Sequence, residues 1–185
     1  MNKKKVKILM AEGFEEIEAL TVVDLLRRAN ITVDMVSIST KEMVMGGHGI
    51  LVKTDELLDH MDSTDTDMLV LPGGMPGTVN LESSEQVSTL LHKFYNENKG
   101  IAAICAAPRI LGELGFLKEK KACCYPGNEA KLLGAIVTER EVEVSDNIIT
   151  SRGAGTAVAF ALAMITFLID KDTAEELGEK IIYQK

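Results

Sequence analysis

Short apolar runs in this chain end abruptly in small or turn-forming residues, and segments with helical spacing follow them. Lys5 to Met10 is such a run, turned by Ala11-Glu12-Gly13; Met68 to Leu71 is stopped by Pro72-Gly73-Gly74; Gly100 to Ile104 leads into Cys105-Ala106-Ala107-Pro108. Runs this short and this apolar predict strands buried on both faces. Thr32 to Ile38, rich in β-branched residues, predicts another. Between them, Glu15 to Asn30 puts Ile17, Leu20, Val23 and Leu26 on one helical stripe. Arg27 and Arg28 close it where the helix dipole favours cations. Ser84 to Asn98 is amphipathic through Val87, Leu90, Leu91 and Phe94, and Pro108 to Leu114 is a helix closed by Gly115. Thr156 to Ile169 is nearly all apolar and predicts a buried helix, and Thr173 to Ile182 predicts a surface one. Val44 to Val52, with Gly46-Gly47-His48-Gly49 inside it, predicts a hairpin or bulged excursion, and Val142 to Val144 with Ile148 to Thr150 a hairpin. Strands alternating with helices predict βαβ units, hence an α/β, doubly wound fold around a mostly parallel sheet. No repeat or linker divides residues 1–185, so one domain is expected.

The 185 residues carry 20 basic and 28 acidic side chains, a net charge of −8. An acidic surface disfavours phosphate backbones and anionic lipids, so neither nucleic acid nor a membrane is an expected partner. Lys3-Lys4-Lys5 is followed only by Val6 to Ala11, broken by Lys7, which is too short for a secretory h-region. The longest nearly apolar run, Ala157 to Ile169, falls short of a membrane span. Three cysteines, two of them adjacent at Cys123 and Cys124, make a poor disulfide framework and point to a reducing, cytoplasmic setting. The chain has no Cys-x-x-Cys or His-x-x-x-His pair and no Walker lysine loop. Neither Gly153-Ala154-Gly155 nor Gly47-His48-Gly49 has the third glycine of a dinucleotide fingerprint. The expectation is a protein working without a metal or nucleotide cofactor. His60 and His92 read as surface residues.

In doubly wound sheets ligands bind beyond the carboxyl ends of the strands, and three turns there carry chemistry. Cys105 sits between an apolar strand and a helix start, where a side chain points into the crevice beside the positive end of the helix. That placement favours thiolate, as in a strand–nucleophile–helix elbow, and Ala106 and Ala107 leave room for the tight turn. Gly73 and Gly74, bare of side chains, let backbone amides face a developing oxyanion. A lone cysteine is also commonly a small buried hydrophobe and a Gly-Gly pair commonly only a turn, so placement alone leaves both readings open. In the third turn, Glu15, Glu16 and Glu18 open a helix, where acidic residues complement the dipole. Glu18 falls one position after Ile17 and three after Glu15, which aims it toward the crevice. A carboxyl that keeps its proton there donates to sulfur and relays protons. His48, among glycines in an excursion, is within reach of the same place.

Four segments in register carry a resemblance: Ile8 to Glu18, Leu69 to Gly74, Ala103 to Pro108, and Thr150 to Thr156 with Arg152 inside it. Together, over about residues 5 to 182, the chain resembles the ThiJ/PfpI superfamily, in the branch of the parkinsonism-associated deglycase and its bacterial relatives. The resemblance implies a flavodoxin-like sandwich, Cys105 as elbow nucleophile, Glu18 as its protonated partner, and an oxyanion pocket from the amides of Gly74 and Ala106. It implies a homodimer joined through the first helix and small aldehyde or dicarbonyl substrates. The activities that it implies are glutathione-independent glyoxalase, deglycation of proteins and nucleotides, redox-regulated chaperoning and oxidative-stress sensing. A thiazole-monophosphate biosynthesis label also circulates in the family. Glu15, His48 and Arg152 fall where substrate contacts are expected. Three departures stand out. Ala106 replaces the histidine that follows the cysteine in the protease branch, which argues against a Cys-His peptidase. Tyr125 replaces a histidine before Pro126, and Lys53 replaces a peripheral cysteine.

Overall fold

The computed structural model describes residues 3–183. The chain opens with β1 (Lys5–Met10), α1 (Glu16–Arg28) and β2 (Thr32–Ser37), followed by an antiparallel hairpin of β3 (Met43–Met45) and β4 (Leu51–Lys53), and by β5 (Glu56–Leu57). Next come β6 (Met68–Leu71), α2 (Gly77–Glu82), α3 (Glu85–Asn96), β7 (Gly100–Ile104) and α4 (Pro108–Glu113). Two short strands, β8 (Lys121–Ala122) and β9 (Ile136–Val137), pair with each other. The chain then runs through β10 (Val142–Ser145), β11 (Ile148–Ser151), α5 (Ala157–Leu168) and α6 (Lys171–Lys180).

Seven strands form the central sheet in the order β10-β11-β7-β6-β1-β2-β5. Every neighbouring pair is parallel except β10 with β11. The sheet is α/β with a doubly wound, flavodoxin-like layout. Each central strand feeds both faces. Val6, Ile8 and Met10 of β1 join one apolar cluster with α1 and α5, while Leu9 joins the other with Val87, Leu91 and Phe94 of α3. Burying side chains of this size contributes roughly 1.5–3 kcal/mol each, so the two layers hold the strand ends in fixed positions. Lys7 interrupts this pattern: it is buried on the second face and pairs with Asp34 and Glu56, which outweigh the cost of burial and raise its pKa.

The chain leaves β1 for β2 on one side and returns to β6 on the other, so the strand order reverses between β1 and β6. That reversal opens a crevice at their carboxyl ends. The loops after Met10, Leu71 and Ile104 meet there.

Of the stripe expected on α1, Val23 and Leu26 are buried and Leu20 packs against the core, but Ile17 falls outside it. Ile17 is 55% exposed, and the buried face runs through Glu18, Ala19, Val22, Val23, Leu25 and Leu26. The cause is that the helix turns a carboxylate, not an isoleucine, toward the strand ends. The small elements β5, α2, β8 and β9 have no counterpart in the sequence reading, because segments of two to six residues offer too few positions for a period to show. Ser84 caps α3 and Asp170 caps α6 through their side chains, so these helices begin at the cap rather than at the first apolar residue. Among the described residues no helix is long and apolar enough to cross a membrane.

Candidate active site

Cys105 follows the last residue of β7 directly and takes φ +66, a left-handed conformation that a cysteine adopts only where its surroundings hold it. Two backbone bonds do so. Its amide donates to Ser151 O at 3.0 Å and its carbonyl accepts from Tyr125 N at 2.8 Å. The side chain is thereby turned out of the sheet and into the crevice, half-buried.

Glu18 reaches the same point from α1. It is 1% exposed, and its Oε2 accepts the Gly73 amide at 2.9 Å. Gly73 explains how the two side chains meet. A Cβ built on it would lie 2.6 Å from Glu18 Oε2, 2.6 Å from Cys105 Cβ and 3.1 Å from Cys105 Sγ. The loop after β6 therefore passes through a gap that no side chain fits. Gly74, at φ +93, is pressed as tightly against the start of α1, where its Cβ would meet Glu15 N at 2.4 Å.

Electrostatics couple the pair. Burial, opposed by hydrogen bonds from Cys105 and the Gly73 amide, raises Glu18 to about 7. Burial and the facing Glu18 push Cys105 up to about 12, while the Ala106 and Gly74 amides pull it down. A helix start favours an ionised sulfur, but here desolvation and then a neighbouring carboxylate outweigh it and keep the proton on Cys105. The two groups resist carrying two negative charges at once, so near neutrality the sulfur keeps its proton and Glu18 is the group that titrates.

Glu18 and Cys105 line a cavity of about 870 Å³ together with Glu15, Glu16, Ile17, His48, Gly74, Met75, Ala106 and Tyr125. The structure thus brings Cys105, Glu18, Gly73, Gly74, Ala106, Glu15 and His48 to one place. Arg152 is not among the lining residues; its guanidinium donates to Glu139 O at 3.2 Å. Cys123 and Cys124 are buried, the former bonded to Thr150.

Glu16 escaped the sequence reading. It is buried, and its Oε1 accepts the amides of His48 at 2.7 Å and Ile50 at 3.4 Å. Its Oε2 lies 2.8 Å from His48 Nδ1. Burial raises its pKa, but these hydrogen bonds outweigh that and hold it below the usual carboxylate range. Glu16, followed by the neighbouring carboxylates, raises the His48 pKa. Further bonds lock the β3–β4 hairpin to the start of α1: Gly13 N to Met45 O at 2.8 Å and Gly47 N to Phe14 O at 2.7 Å. The sequence signals for this clasp were a third carboxylate in the first turn and His48 in a glycine excursion within its reach.

The DJ-1/PfpI family matches residues 4–167. Protein DJ-1 homolog B of Arabidopsis thaliana is 35% identical over 181 residues, which is 97% of this chain and 41% of that protein. The chain spans less than half the length of the two Arabidopsis relatives it matches. Protein dj-1beta of Drosophila melanogaster is 33% identical over 181 residues, 97% of each chain. Among solved structures, oxidized Toxoplasma gondii DJ-1 superposes with a TM-score of 0.94 at 34% identity, covering 98% of this chain and 100% of that one.

Proposed function

The chain belongs to the DJ-1/PfpI family, and from that premise we propose that it is a cofactor-independent cysteine enzyme acting on small reactive dicarbonyls, with a role in carbonyl and oxidative stress. The observation that carries this reading is the meeting of Cys105 and the buried Glu18 across Gly73, inside a cavity large enough for a small aldehyde.

The Cys105 thiol adds to the aldehyde carbon of a 2-oxoaldehyde and passes its proton to Glu18. The carbonyl oxygen becomes an alkoxide facing the Gly74 and Ala106 amides, and such donors stabilise charge as it develops. Glu18 returns the proton to that oxygen, giving a hemithioacetal. Ionised again, Glu18 removes the proton from C1, leaving an enediolate. The C1 hydroxyl proton passes to the C2 oxygen while Glu18 delivers its own proton to C2. C1 is thereby oxidised to a thioester and C2 reduced to an alcohol. Water cleaves the thioester, releasing a 2-hydroxy acid and the free thiol. A group that titrates near 7 suits this exchange, since it both takes and gives protons at neutral pH. The test is lactate production from methylglyoxal in a glutathione-free buffer. Wild type should turn over, and Cys105→Ser and Glu18→Gln should lose at least about a hundredfold, the usual contribution of a positioned acid–base group. Equal lactate from wild type and Cys105→Ser overturns the reading.

A second reading, redox sensing, is favoured by exposure: Cys105 is half-buried and open to the cavity, whereas Cys123 and Cys124 are buried. One thiol can serve both roles. We also propose a homodimer through α1. Ile17, Ile50, Leu51 and Met75 are each more than half exposed, and an apolar group of this kind suits a second copy.

A further inference from the structure

We propose that Glu15, Glu16 and His48 form a binding site for a divalent transition ion of the zinc type at the mouth of the cavity. Their donor atoms lie within 4.8 Å of one another. His48 Nδ1 is 2.8 Å from Glu16 Oε2 and 3.6 Å from Glu15 Oε2. Two ligands at about 2.0–2.1 Å from a tetrahedral zinc stand roughly 3.4 Å apart, and the observed separations bracket that spacing. For His48 and Glu16 to reach that spacing their ligand atoms move apart by about 0.6 Å.

The site is held before any ion arrives. Glu16 Oε1 is occupied by the His48 and Ile50 amides, which leaves Oε2, now against His48 Nδ1, as the atom turned to the ion and fixes its direction. A Cβ on Gly46 would lie 2.3 Å from Glu16 Oε1, so the hairpin backbone seats directly on this carboxylate. Such outer contacts orient ligands in metal sites. Among the described residues no lysine or arginine pairs with Glu15 or Glu16; His48, itself 69% exposed on its side chain, is their one ionic partner. An imidazole with two carboxylates suits zinc rather than magnesium or calcium, which prefer all-oxygen shells. Three protein ligands leave a fourth position open, and the cavity that holds Cys105 lies beside it. The spacing motifs of the sequence gave no sign of this because the ligands are brought together across 32 residues by the hairpin.

Zinc chloride alone is the probe, titrated calorimetrically into the full chain with magnesium chloride as control. Wild type and Cys105→Ala should each bind one zinc with similar affinity, magnesium should not compete, and His48→Ala should bind at least about tenfold more weakly. Glu15→Gln carries the same expectation and serves if His48→Ala unfolds at a lower temperature than wild type. In parallel, zinc should slow alkylation of Cys105 by iodoacetamide in wild type and not in His48→Ala. Undiminished binding in both ligand variants overturns the site. So does loss of binding in Cys105→Ala, which would assign the zinc to the thiol. No turnover enters these measurements, so failure of the dicarbonyl reading leaves their outcome intact.

Discussion

Replacing Glu18 by glutamine should stabilise this protein, and more so as the pH rises. The carboxyl moves from an ordinary value of 4.5 to about 7 on folding. A rise of about 2.5, at roughly 1.36 kcal/mol for each pKa unit, corresponds to about 3.4 kcal/mol between the two protonation states. The sign follows from the raised folded value. The native state holds the proton more tightly than the unfolded chain, so the stabilisation is fully present below about pH 4.5 and is lost as pH climbs through 7. The unfolded carboxyl is already largely ionised at pH 5, where about 0.8 kcal/mol has been lost, so about 2.5 kcal/mol remains to appear between pH 5 and 8.5. Cys105, pushed to about 12, keeps its proton across this window. Glutamine has nearly the same shape, and its side-chain carbonyl can still accept the Gly73 amide, so the loop after β6 keeps its anchor. Urea denaturation of wild type and Glu18→Gln at pH 5 and pH 8.5 measures the effect. The difference in unfolding free energy should grow by about 2–3 kcal/mol in favour of the variant. All other titrating groups are common to the two proteins and largely cancel. A difference that stays constant between these pH values refutes the claim that the folded protein keeps a proton on Glu18, and with it the proton relay.

Three further outcomes follow from the geometry. Gly73→Ala places a methyl group 2.6 Å from both Glu18 Oε2 and Cys105 Cβ, so it should cost about 1–3 kcal/mol in thermal unfolding and slow alkylation of Cys105. Gly155→Ala, with nothing within 4 Å, is the control and should be silent. Under mild peroxide, intact-mass and peptide analysis should find two oxygens on Cys105 before any on the buried Cys123 or Cys124; scattered oxidation over all three would count against the sensing role. Ile17→Lys should convert a dimer to a monomer in sedimentation at micromolar concentration, because it puts a charge in place of the exposed apolar side chain of α1, and an unchanged mass would remove α1 from the interface.

How legible all this was in the sequence depends on the distance over which each cause acts. Strands β6 and β7, and β1 apart from its lysines, were readable because a strand buried on both faces needs a nearly continuous apolar run, which is a local requirement. Their carboxyl ends, and therefore the neighbourhood of Cys105, Gly73 and Glu18, followed from topology alone. Val23 and Leu26 of the α1 stripe are buried, but Ile17 is not, for an instructive reason. Hydrophobic periodicity assumes that the buried face of a helix is its apolar face, and α1 instead buries Glu16 and Glu18 at considerable cost in desolvation. A chain does not bury two carboxylates in one turn for packing. Glu18 is held by a backbone amide beside a thiol, and Glu16 by two amides and an imidazole. An exposed Ile17 between two buried carboxylates is therefore itself a marker of the site: where local propensity and burial disagree, something other than stability set the sequence. Lys7, a buried charge, is paired with two carboxylates, whereas Glu18 is a buried carboxyl with no cation to pair with among the described residues. The first neutralises itself within the fold. The second leaves a proton to be exchanged, and the nearest group that exchanges it is the sulfur of Cys105.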